Sequence, residues 1–197
     1  MEEKKLGCVV MAAGNARRFG ENKLAARLDG RSLIQRALEA VPPGVFSVVA
    51  VVTQYPEIEE LAKEYNFTPI RNDWPDLGAS RTVVLGLEAT AQCDGTLFLV
   101  ADQPLLRRER VAQLAELWRR QPEKIAALGH GGVRGNPCLF PARFYPELLA
   151  LTGDRGGSAV IRRHEEDLIL LEAPEEELAD VDTPQALRRL RQEGQEP

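Results

Sequence analysis

Residues 6–14, LGCVVMAAG, decide the fold, because an apolar run passes directly into two Ala and a Gly. The apolar, β-branched part at 6–12 predicts a buried strand. SLIQRALEAV, residues 32–41, has helical spacing, with Ser32 as its N-cap. The segment between them is therefore the loop of a strand–loop–helix unit, where phosphate sites are commonly built.

Strand-like and helix-like segments alternate along the rest of the chain. Strands are predicted at 45–53, 67–72, 96–102 and 124–131, and helices at 56–65, 79–91, 107–121, 143–151 and after DVDTP. Segments at 138–141, 158–165 and 167–173 continue the alternation. This pattern predicts βαβ units, and hence a three-layer α/β/α sandwich with a mainly parallel sheet.

Composition bounds the class of protein. A chain of 197 residues with 44% hydrophobic residues can form one domain with a sizeable core. The net charge of −5 disfavours a nucleic-acid partner. Three separated Cys without a CxxC motif disfavour a disulfide framework or a zinc site. Because no apolar run approaches the roughly 20 residues of a membrane helix and no signal peptide is evident, we expect a cytoplasmic protein without a membrane partner.

The loop after the first strand is the first candidate site. Its small residues are Ala12, Ala13 and Gly14. Its cations are Arg17, Arg18 and Lys23. Small side chains let a ligand approach the backbone, whose N–H groups together with these cations would hold a triphosphate. The alternative is a tight turn with solvated charges.

Two acidic segments form the second candidate. VADQP, 100–104, places Asp102 at the end of a buried strand, at the sheet edge where open α/β sheets bind ligands. Mg²⁺ binds one or two carboxylates together with substrate phosphates, so Asp102 is a natural ligand. In ADVDTP, 179–184, Asp180 and Asp182 point to opposite faces of an extended strand, and Asp182 would complete the site. Either Asp102 or Asp182 could instead cap the helix that follows it.

Three further stretches are typical of sites. NDWPDLGASRT, 72–82, contains Asn72, Gly78, Ser80 and Thr82, although Ser80 and Thr82 could simply cap a helix. GGVRGNPCLF, 131–140, is typical of a loop that passes near a ligand. GDRGGS, 153–158, is a Gly-rich turn in which Asp154 and Arg155 could pair. His130 and His164 lack a spaced partner and are interpreted as structural or surface residues.

The order of these motifs resembles that of a known family. MAAGNARRFGENKL, GASRTVVLGL, VADQP, RGNPCLFP, LTGDRGGSAV and DVDTP together resemble the MobA-like nucleotidyltransferases, and within them the molybdenum cofactor cytidylyltransferases. The resemblance covers nearly the whole chain. It implies a Rossmann-like fold of the nucleotide-diphospho-sugar transferase type. It also implies Mg²⁺-dependent transfer of CMP from CTP to the terminal phosphate of molybdopterin, with release of pyrophosphate. The part at about 1–105 would bind the nucleotide, and the part at about 106–193 the acceptor.

The resemblance also implies residue roles. The nucleotide would contact Ala12, Ala13, Gly14, Arg18, Lys23, Asn72, Gly78, Ser80, Asp102 and Gln103. Catalysis would use Lys23, Arg18 and Asp102, and the metal would be bound by Asp102 and Asp182. The acceptor would contact Asn136, Pro137, Asp154 and Arg155. An AAG loop accompanies CTP in that family, and the Ala13 methyl group would narrow the pocket for a pyrimidine.

Other functions stay open. Asn136 stands where family members often carry His, and Asn cannot titrate near neutral pH, which bears on the acceptor. The same chemistry could therefore act on a sugar or alditol phosphate. A non-catalytic chaperone that inserts cofactor into a molybdenum hydroxylase is the alternative from another class, and a transient contact with such a hydroxylase is compatible with both the enzyme and the chaperone. The lack of GxGxxG disfavours a dinucleotide-binding oxidoreductase.

Overall fold

The computed structural model describes residues 4–14 and 22–193 of the 197-residue chain. The strands within these residues are β1 Leu6–Ala12, β2 Arg27–Leu28, β3 Arg31–Ser32, β4 Val48–Thr53, β5 Thr68–Arg71, β6 Gly95–Val100, β7 Ile125–His130, β8 Val133–Pro141 and β9 Leu168–Glu172. The α-helices are α1 Leu33–Glu39, α2 Pro56–Glu64, α3 Ala79–Thr90, α4 Arg108–Arg120, α5 Tyr145–Leu149, α6 Ser158–Ile161 and α7 Pro184–Glu193. Short 3₁₀ turns occur at Lys23–Ala25, Pro75–Leu77, Ala142–Phe144, Glu165–Asp167 and Glu175–Leu178.

Seven strands form one sheet in the order β5-β4-β1-β6-β8-β7-β9. The pairs β5–β4, β4–β1, β1–β6 and β7–β9 are parallel. Strand β8 lies between β6 and β7 and is antiparallel to both. The prediction of a mainly parallel sheet is confirmed, whereas the antiparallel internal strand β8 and the separate β2–β3 ribbon were not predicted.

Helices cover both faces of this sheet, which confirms the predicted three layers. In β1, Cys8 and Val10 belong to the core that includes α1, α2 and α4, whereas Val9 belongs to the core that includes α3, α5 and α6. Successive strand residues point to opposite faces, so a strand covered on both sides is apolar at every position. This accounts for the continuous apolar run at the start of the chain.

A close contact between α3 and β1 positions the site. A Cβ atom placed on Gly86 of α3 would lie 2.4 Å from Cγ1 of Val9, so only glycine allows the helix to lie this near the strand. The N-terminus of α3 consequently lies beside the end of β1, where Ala79 and Thr82 line the same cleft as Ala13.

Several segment predictions are corrected. Residues 133–141 are strand β8 rather than a ligand-binding loop, and only Gly131 and Gly132, with φ of +55° and +81°, form the turn before it. Gly135 and Pro137 obscured the strand because both residues are rare in central strands. DVDTP contributes no strand among the described residues, because its backbone hydrogen-bonds to Asp102 rather than along a sheet edge. The predicted helix 143–151 is the shorter α5, preceded by a 3₁₀ turn.

Across the described residues, the helices are too short or too polar to traverse a lipid bilayer.

Candidate active site

A short capped turn fixes the backbone of Lys23. Asn22 Oδ1 accepts a hydrogen bond from Leu24 N at 3.1 Å and so caps the 3₁₀ turn. Asn22 Nδ2 also donates to Glu57 Oε1 of α2 at 3.0 Å. Leu24 is buried in the core beside β1. The residues on both sides of Lys23 are therefore anchored, and its side chain extends from a fixed point.

The Lys23 side chain reaches two carboxylates that are distant in sequence. Lys23 Nζ donates to Asp102 Oδ2 at 2.7 Å and to Asp182 Oδ1 at 3.1 Å. The side chains of Lys23 and Asp102 are 15% and 21% exposed, whereas that of Asp182 is 60% exposed. The backbone holds the two acidic segments together, since Val181 N donates to the carbonyl oxygen of Asp102 at 2.8 Å.

Neither acid caps the next helix, so that alternative is wrong for both. Helix α4 begins at Arg108, well beyond Asp102, and has no side-chain cap. For α7, the hydroxyl of Thr183 accepts a hydrogen bond from Ala186 N at 3.1 Å. Asp102 and Asp182 instead share the ammonium group of Lys23.

Burial and charge act in opposite directions on Lys23. Burial alone would lower the pKa of Lys23, but the hydrogen bonds and negative charges of Asp102 and Asp182 outweigh it and leave that pKa raised. Partial burial, followed by the charge of Asp102, raises the pKa of the nearby Asp180 carboxyl, although a hydrogen bond with Gln103 opposes that shift. Lys23 is thus a firmly protonated cation at neutral pH.

Lys23 and Asp102 border a cleft of ≈ 210 Å³, here called the Lys23 cleft, between the ends of β1 and β6 and the start of α3. Its wall includes Ala13, Gly14, Lys23, Thr82 and Asp102. The predicted residues of the first loop and of VADQP therefore meet at one point. Arg17, Arg18 and Gly20 lie outside the described residues.

A second cleft of ≈ 310 Å³, the Asp154 cleft, adjoins the first and shares Ala13 and Gly14 with it. Gly78 has a φ of +88°, and a Cβ atom there would lie 2.5 Å from the carbonyl carbon of Gly153. Ser80 N donates to the carbonyl oxygen of Gly153 at 3.1 Å. These contacts bring the Gly-rich turn of the C-terminal half onto the start of α3.

The turn places its two charged residues apart. Asp154, predicted with the acceptor residues, lines the Asp154 cleft beside Gly14 and Gly78. Arg155 lines a separate groove near Arg162. The candidate ion pair between Asp154 and Arg155 is therefore not among the contacts of the described chain.

Two predicted nucleotide residues are buried below the clefts. Asn72 is 1% exposed, and its side chain donates to Thr82 Oγ1 at 3.4 Å and accepts from Trp74 N at 3.1 Å. Ser80 is buried as well. Helix α3 has Gly78 at its N-cap position and no side-chain cap, so the capping alternative for Ser80 and Thr82 is wrong. Asn72 shapes the loop, and Thr82, named with this stretch but not among the predicted nucleotide contacts, lines both clefts.

A third cleft of ≈ 500 Å³, the Gln103 cleft, lies between β8 and the 3₁₀ turn before Asp180. Gln103 is 3% exposed, and its Nε2 donates to the carbonyl oxygen of Leu178 at 2.8 Å. It lines this cleft with Asn136 and not the Lys23 cleft, where the nucleotide prediction had grouped it. Arg134, two residues before Asn136 on β8, lines it too, and period-2 spacing was the signal that could have found it.

Pro137 follows Asn136 through a cis peptide bond and is buried within β8. It is not part of the wall described for the Gln103 cleft. Of the four predicted acceptor residues, only Asn136 therefore lies in this cleft.

The donor set at the Lys23 cleft suits a hard divalent cation. Asp102 and Asp182 offer carboxylate oxygens that approach one point closely enough to share a single ammonium nitrogen. Oxygen ligands of this kind are those Mg²⁺ prefers, and one or two carboxylates with substrate phosphates are its usual set. Beside them, Ala13 and Gly14 line the cleft and Gly14 is exposed, whereas Ala12, predicted to contact the nucleotide, is fully buried in β1 and is not among the residues given for the cleft wall. The arrangement can therefore bind a phosphorylated ligand and a cation side by side.

Comparison with known proteins agrees with this class of site. The profile of the family described as MobA-like NTP transferase domain matches residues 8–168, so the chain belongs to that family and is a nucleotidyltransferase. It is 29% identical over 190 residues to the purine catabolism protein PucB of Bacillus subtilis, covering 90% of this chain and 91% of that one. It is 27% identical over 190 residues to a "Probable molybdenum cofactor guanylyltransferase" of Nostoc sp., covering 92% and 88%.

A solved structure shares the fold. A nucleotidyl transferase from Methanothermobacter thermautotrophicus superposes with a TM-score of 0.80 at 22% identity, covering 96% of this chain and 97% of that one. At this identity the likeness shows the architecture only. It confirms the predicted nucleotide-diphospho-sugar transferase type of fold.

Proposed function

We propose that this nucleotidyltransferase moves CMP from CTP to the terminal phosphate of molybdopterin, releasing pyrophosphate in a Mg²⁺-dependent reaction. The observation that carries the proposal is the convergence of Lys23, Asp102 and Asp182 beside the small-residue turn after β1. A cleft with one cation, two carboxylates and accessible backbone suits a triphosphate and its cation.

In the proposed reaction, an oxygen of the acceptor phosphate bonds to the α-phosphorus as the bond to pyrophosphate breaks. The ammonium group of Lys23 would stabilise charge at the α-phosphate, and Arg18 would hold the pyrophosphate. Asp102 and Asp182 would bind Mg²⁺, whose positive charge would neutralise the phosphates. An acceptor phosphate is already ionised near neutral pH, so no strong general base is required. Positioning and electrostatics would provide most of the rate.

Two features support CTP as the donor. The methyl group of Ala13 narrows the space between the Lys23 and Asp154 clefts, which suits a pyrimidine. The carboxylate of Asp154 lines the second cleft, where it could accept a hydrogen bond from an exocyclic amino group. Cytosine has that group and uracil does not. The name of the Nostoc relative makes GTP the competing donor to test.

The Gln103 cleft is the proposed acceptor site. Asn136 lines this cleft, and so does Gln103, the residue that follows Asp102. A phosphate at the mouth of the cleft could therefore reach the nucleotide. The proposal keeps a nucleotide-binding part at about 1–105 and an acceptor-binding part at about 106–193, except that Gln103 lines the acceptor cleft and Asp154 lies on the nucleotide side. Molybdopterin is supported by the resemblance and by the name of the Nostoc relative. The proposal also includes a cytoplasmic location and a transient contact with the molybdenum hydroxylase that receives the product.

The test is pyrophosphate release in the presence of Mg²⁺, with CTP, GTP, ATP or UTP paired with molybdopterin, sugar phosphates or alditol phosphates. We expect turnover with CTP and molybdopterin only. Turnover with GTP would overturn the base assignment, and turnover with a sugar or alditol phosphate would overturn the acceptor. Bound cofactor without pyrophosphate release would favour the non-catalytic chaperone. Thermal shifts support the screen, because a ligand at one hundred times its Kd stabilises by about 2.7 kcal/mol.

A further inference from the structure

We propose that Lys23 occupies the cation site itself, so that a divalent cation binds tightly only after nucleotide phosphates have drawn Lys23 away. This inference rests on the proposed function, because it assumes that Asp102 and Asp182 are the cation ligands. It adds that the residue which stabilises phosphate also controls access of the cation. Cation and nucleotide then bind as a coupled pair.

The first step of the argument is the bridging ammonium group. Lys23 Nζ lies 2.7 Å from Asp102 Oδ2 and 3.1 Å from Asp182 Oδ1, so it is hydrogen-bonded to both acids at once. A magnesium ion needs carboxylate oxygens at about 2.0–2.1 Å in near-octahedral geometry. An ammonium group and a divalent cation held between the same two carboxylates repel each other, whichever carboxylate oxygens each one uses. Tight binding of the cation between these acids is therefore opposed until the Lys23 side chain moves.

The second step is that Lys23 can leave without a change of fold. Asn22 and the buried Leu24 anchor the backbone on both sides, so only the side-chain torsions of Lys23 need to change. The cleft into which the side chain would turn is lined by Ala13 and Gly14. Their small side chains leave the backbone accessible to phosphates, which offer Lys23 replacement anionic partners.

The third step is a linkage argument. If Lys23 competes with the cation and binds the nucleotide, its removal must have opposite effects on the two ligands. Cation affinity measured without nucleotide should rise, and nucleotide affinity should fall. A residue that merely supported the site would lower both affinities. Coupling between sites typically changes affinity about 5- to 150-fold.

The experiment is a Mn²⁺ titration followed by the electron paramagnetic resonance signal of the free ion, without nucleotide. We expect Lys23→Met to bind Mn²⁺ about tenfold more tightly than wild type. The matched control is Lys63→Met, which removes an exposed lysine paired with Glu60 on α2. Its affinity for Mn²⁺ should equal that of wild type, because exposed charges are screened by salt.

A second readout follows Lys23 directly by acylation of lysine amines and mass spectrometry. We expect Mg²⁺ alone, at saturating concentration, to raise the labelling rate of Lys23 in wild type and to leave that of Lys63 unchanged. Asp102→Asn should raise Lys23 labelling without any Mg²⁺, because one of its two partners loses its charge. This readout does not depend on turnover or on the acceptor.

The outcomes separate this inference from the proposed function. Equal or weaker Mn²⁺ binding by Lys23→Met, or Lys23 labelling that ignores Mg²⁺, would overturn the competition. If Mn²⁺ binding is lost in Lys23→Met/Asp102→Asn, the cation site stands whatever the result for competition. If that double variant binds Mn²⁺ as tightly as Lys23→Met, the cation site and the competition both fail. Pyrophosphate release by wild type tests the proposed function independently.

Discussion

Two residues adjacent in sequence, Asp102 and Gln103, line the Lys23 cleft and the Gln103 cleft respectively, yet the two clefts are built differently. The first lies at the ends of parallel strands, and charged side chains contact one another across it. The second lies beside antiparallel β8, and its wall combines the amides of Gln103 and Asn136 with charged residues such as Arg134 and Asp180. The difference lies in how the charges are arranged: at the Lys23 cleft opposite charges meet in ion pairs, whereas the described residues of the Gln103 cleft show no ion pair between its charged side chains.

The largest expected effect tests whether the ion-paired acids of the Lys23 cleft act on the reacting phosphates. Asp102→Asn should lower pyrophosphate release from CTP about 10²- to 10³-fold, because a proposed ligand of the cation that neutralises the reacting phosphates loses its charge. Acceptor affinity should not change. Steady-state kinetics with each substrate varied in turn would measure both effects.

The same strand supplies the matched control for Asp102→Asn. Asp94 precedes β6 at its opposite end and accepts a hydrogen bond from Lys5 N at 2.8 Å. Asp94→Asn removes one negative charge, as Asp102→Asn does, but at the end of β6 distant from the Lys23 cleft. Its turnover should therefore equal that of wild type. Wild-type turnover in Asp102→Asn would show that the phosphates do not react at the Lys23 cleft.

The next effect should weaken both clefts at once, because it disturbs the segment that carries Asp180 of the Gln103 cleft and Asp182 beside Lys23. Glu177 in the 3₁₀ turn before Asp180 is 2% exposed and is contacted by Arg110 of α4 at 3.4 Å. Arg110→Leu would leave that carboxylate buried with only Arg107, 3.8 Å away. We expect the free energy of unfolding to fall by about 3 kcal/mol and Tm by about 6–12 °C. Affinities at both clefts should weaken together.

A second change should restore stability to Arg110→Leu. Replacing both partners, as Arg110→Leu/Glu177→Leu, removes the unpaired buried charge, and apolar replacements of buried ion pairs are often neutral. Denaturant titration would compare the two variants. A single variant as stable as wild type would show that the Arg110–Glu177 pair does not hold the segment.

A smaller effect tests whether Ala13 selects the base of the nucleotide. Ala13→Gly removes the methyl group shared by the Lys23 and Asp154 clefts. We expect the ratio of kcat/KM for CTP over GTP to fall about tenfold, the scale on which one carbon alters discrimination. The ratio for CTP over UTP is the internal control and should hold, because both bases are pyrimidines. An unchanged CTP/GTP ratio would show that Ala13 does not select the base.

The smallest effect concerns the Gln103 cleft. Asn136→Ala should raise the KM for the acceptor about fivefold, since one neutral hydrogen bond contributes about 1 kcal/mol. The KM for CTP should stay at its wild-type value. Asn66→Gly is the control, because Asn66 follows α2 with a φ of +59°, a conformation that glycine adopts readily. A higher KM for CTP in Asn136→Ala would place that residue in the nucleotide site.

The antiparallel strand shows why half of the site escaped prediction. Strand β8 pairs with β7, which precedes it across the turn at Gly131 and Gly132. It also pairs with β6, from which α4 and β7 separate it along the chain. Hydrophobic periodicity identifies a strand but not its neighbours, and Gly135 and Pro137 weakened even that signal. The Gln103 cleft depends on this pairing, so its wall could not be deduced from the chain.

The amino-acid sequence by itself determined the three-layer architecture, the capping of α1 by Ser32, the small-residue turn after β1 and the position of Asp102 at a strand end. Each of these depends on local periodicity or on residues a few positions apart. Only the tertiary structure decided which distant groups meet. Asp182 reaches Lys23 because Val181 N bonds to the carbonyl oxygen of Asp102, and Asp154 reaches the first loop because its turn packs on Gly78. Such contacts join residues tens to hundreds of positions apart, and their partners are selected by the packing of the whole chain.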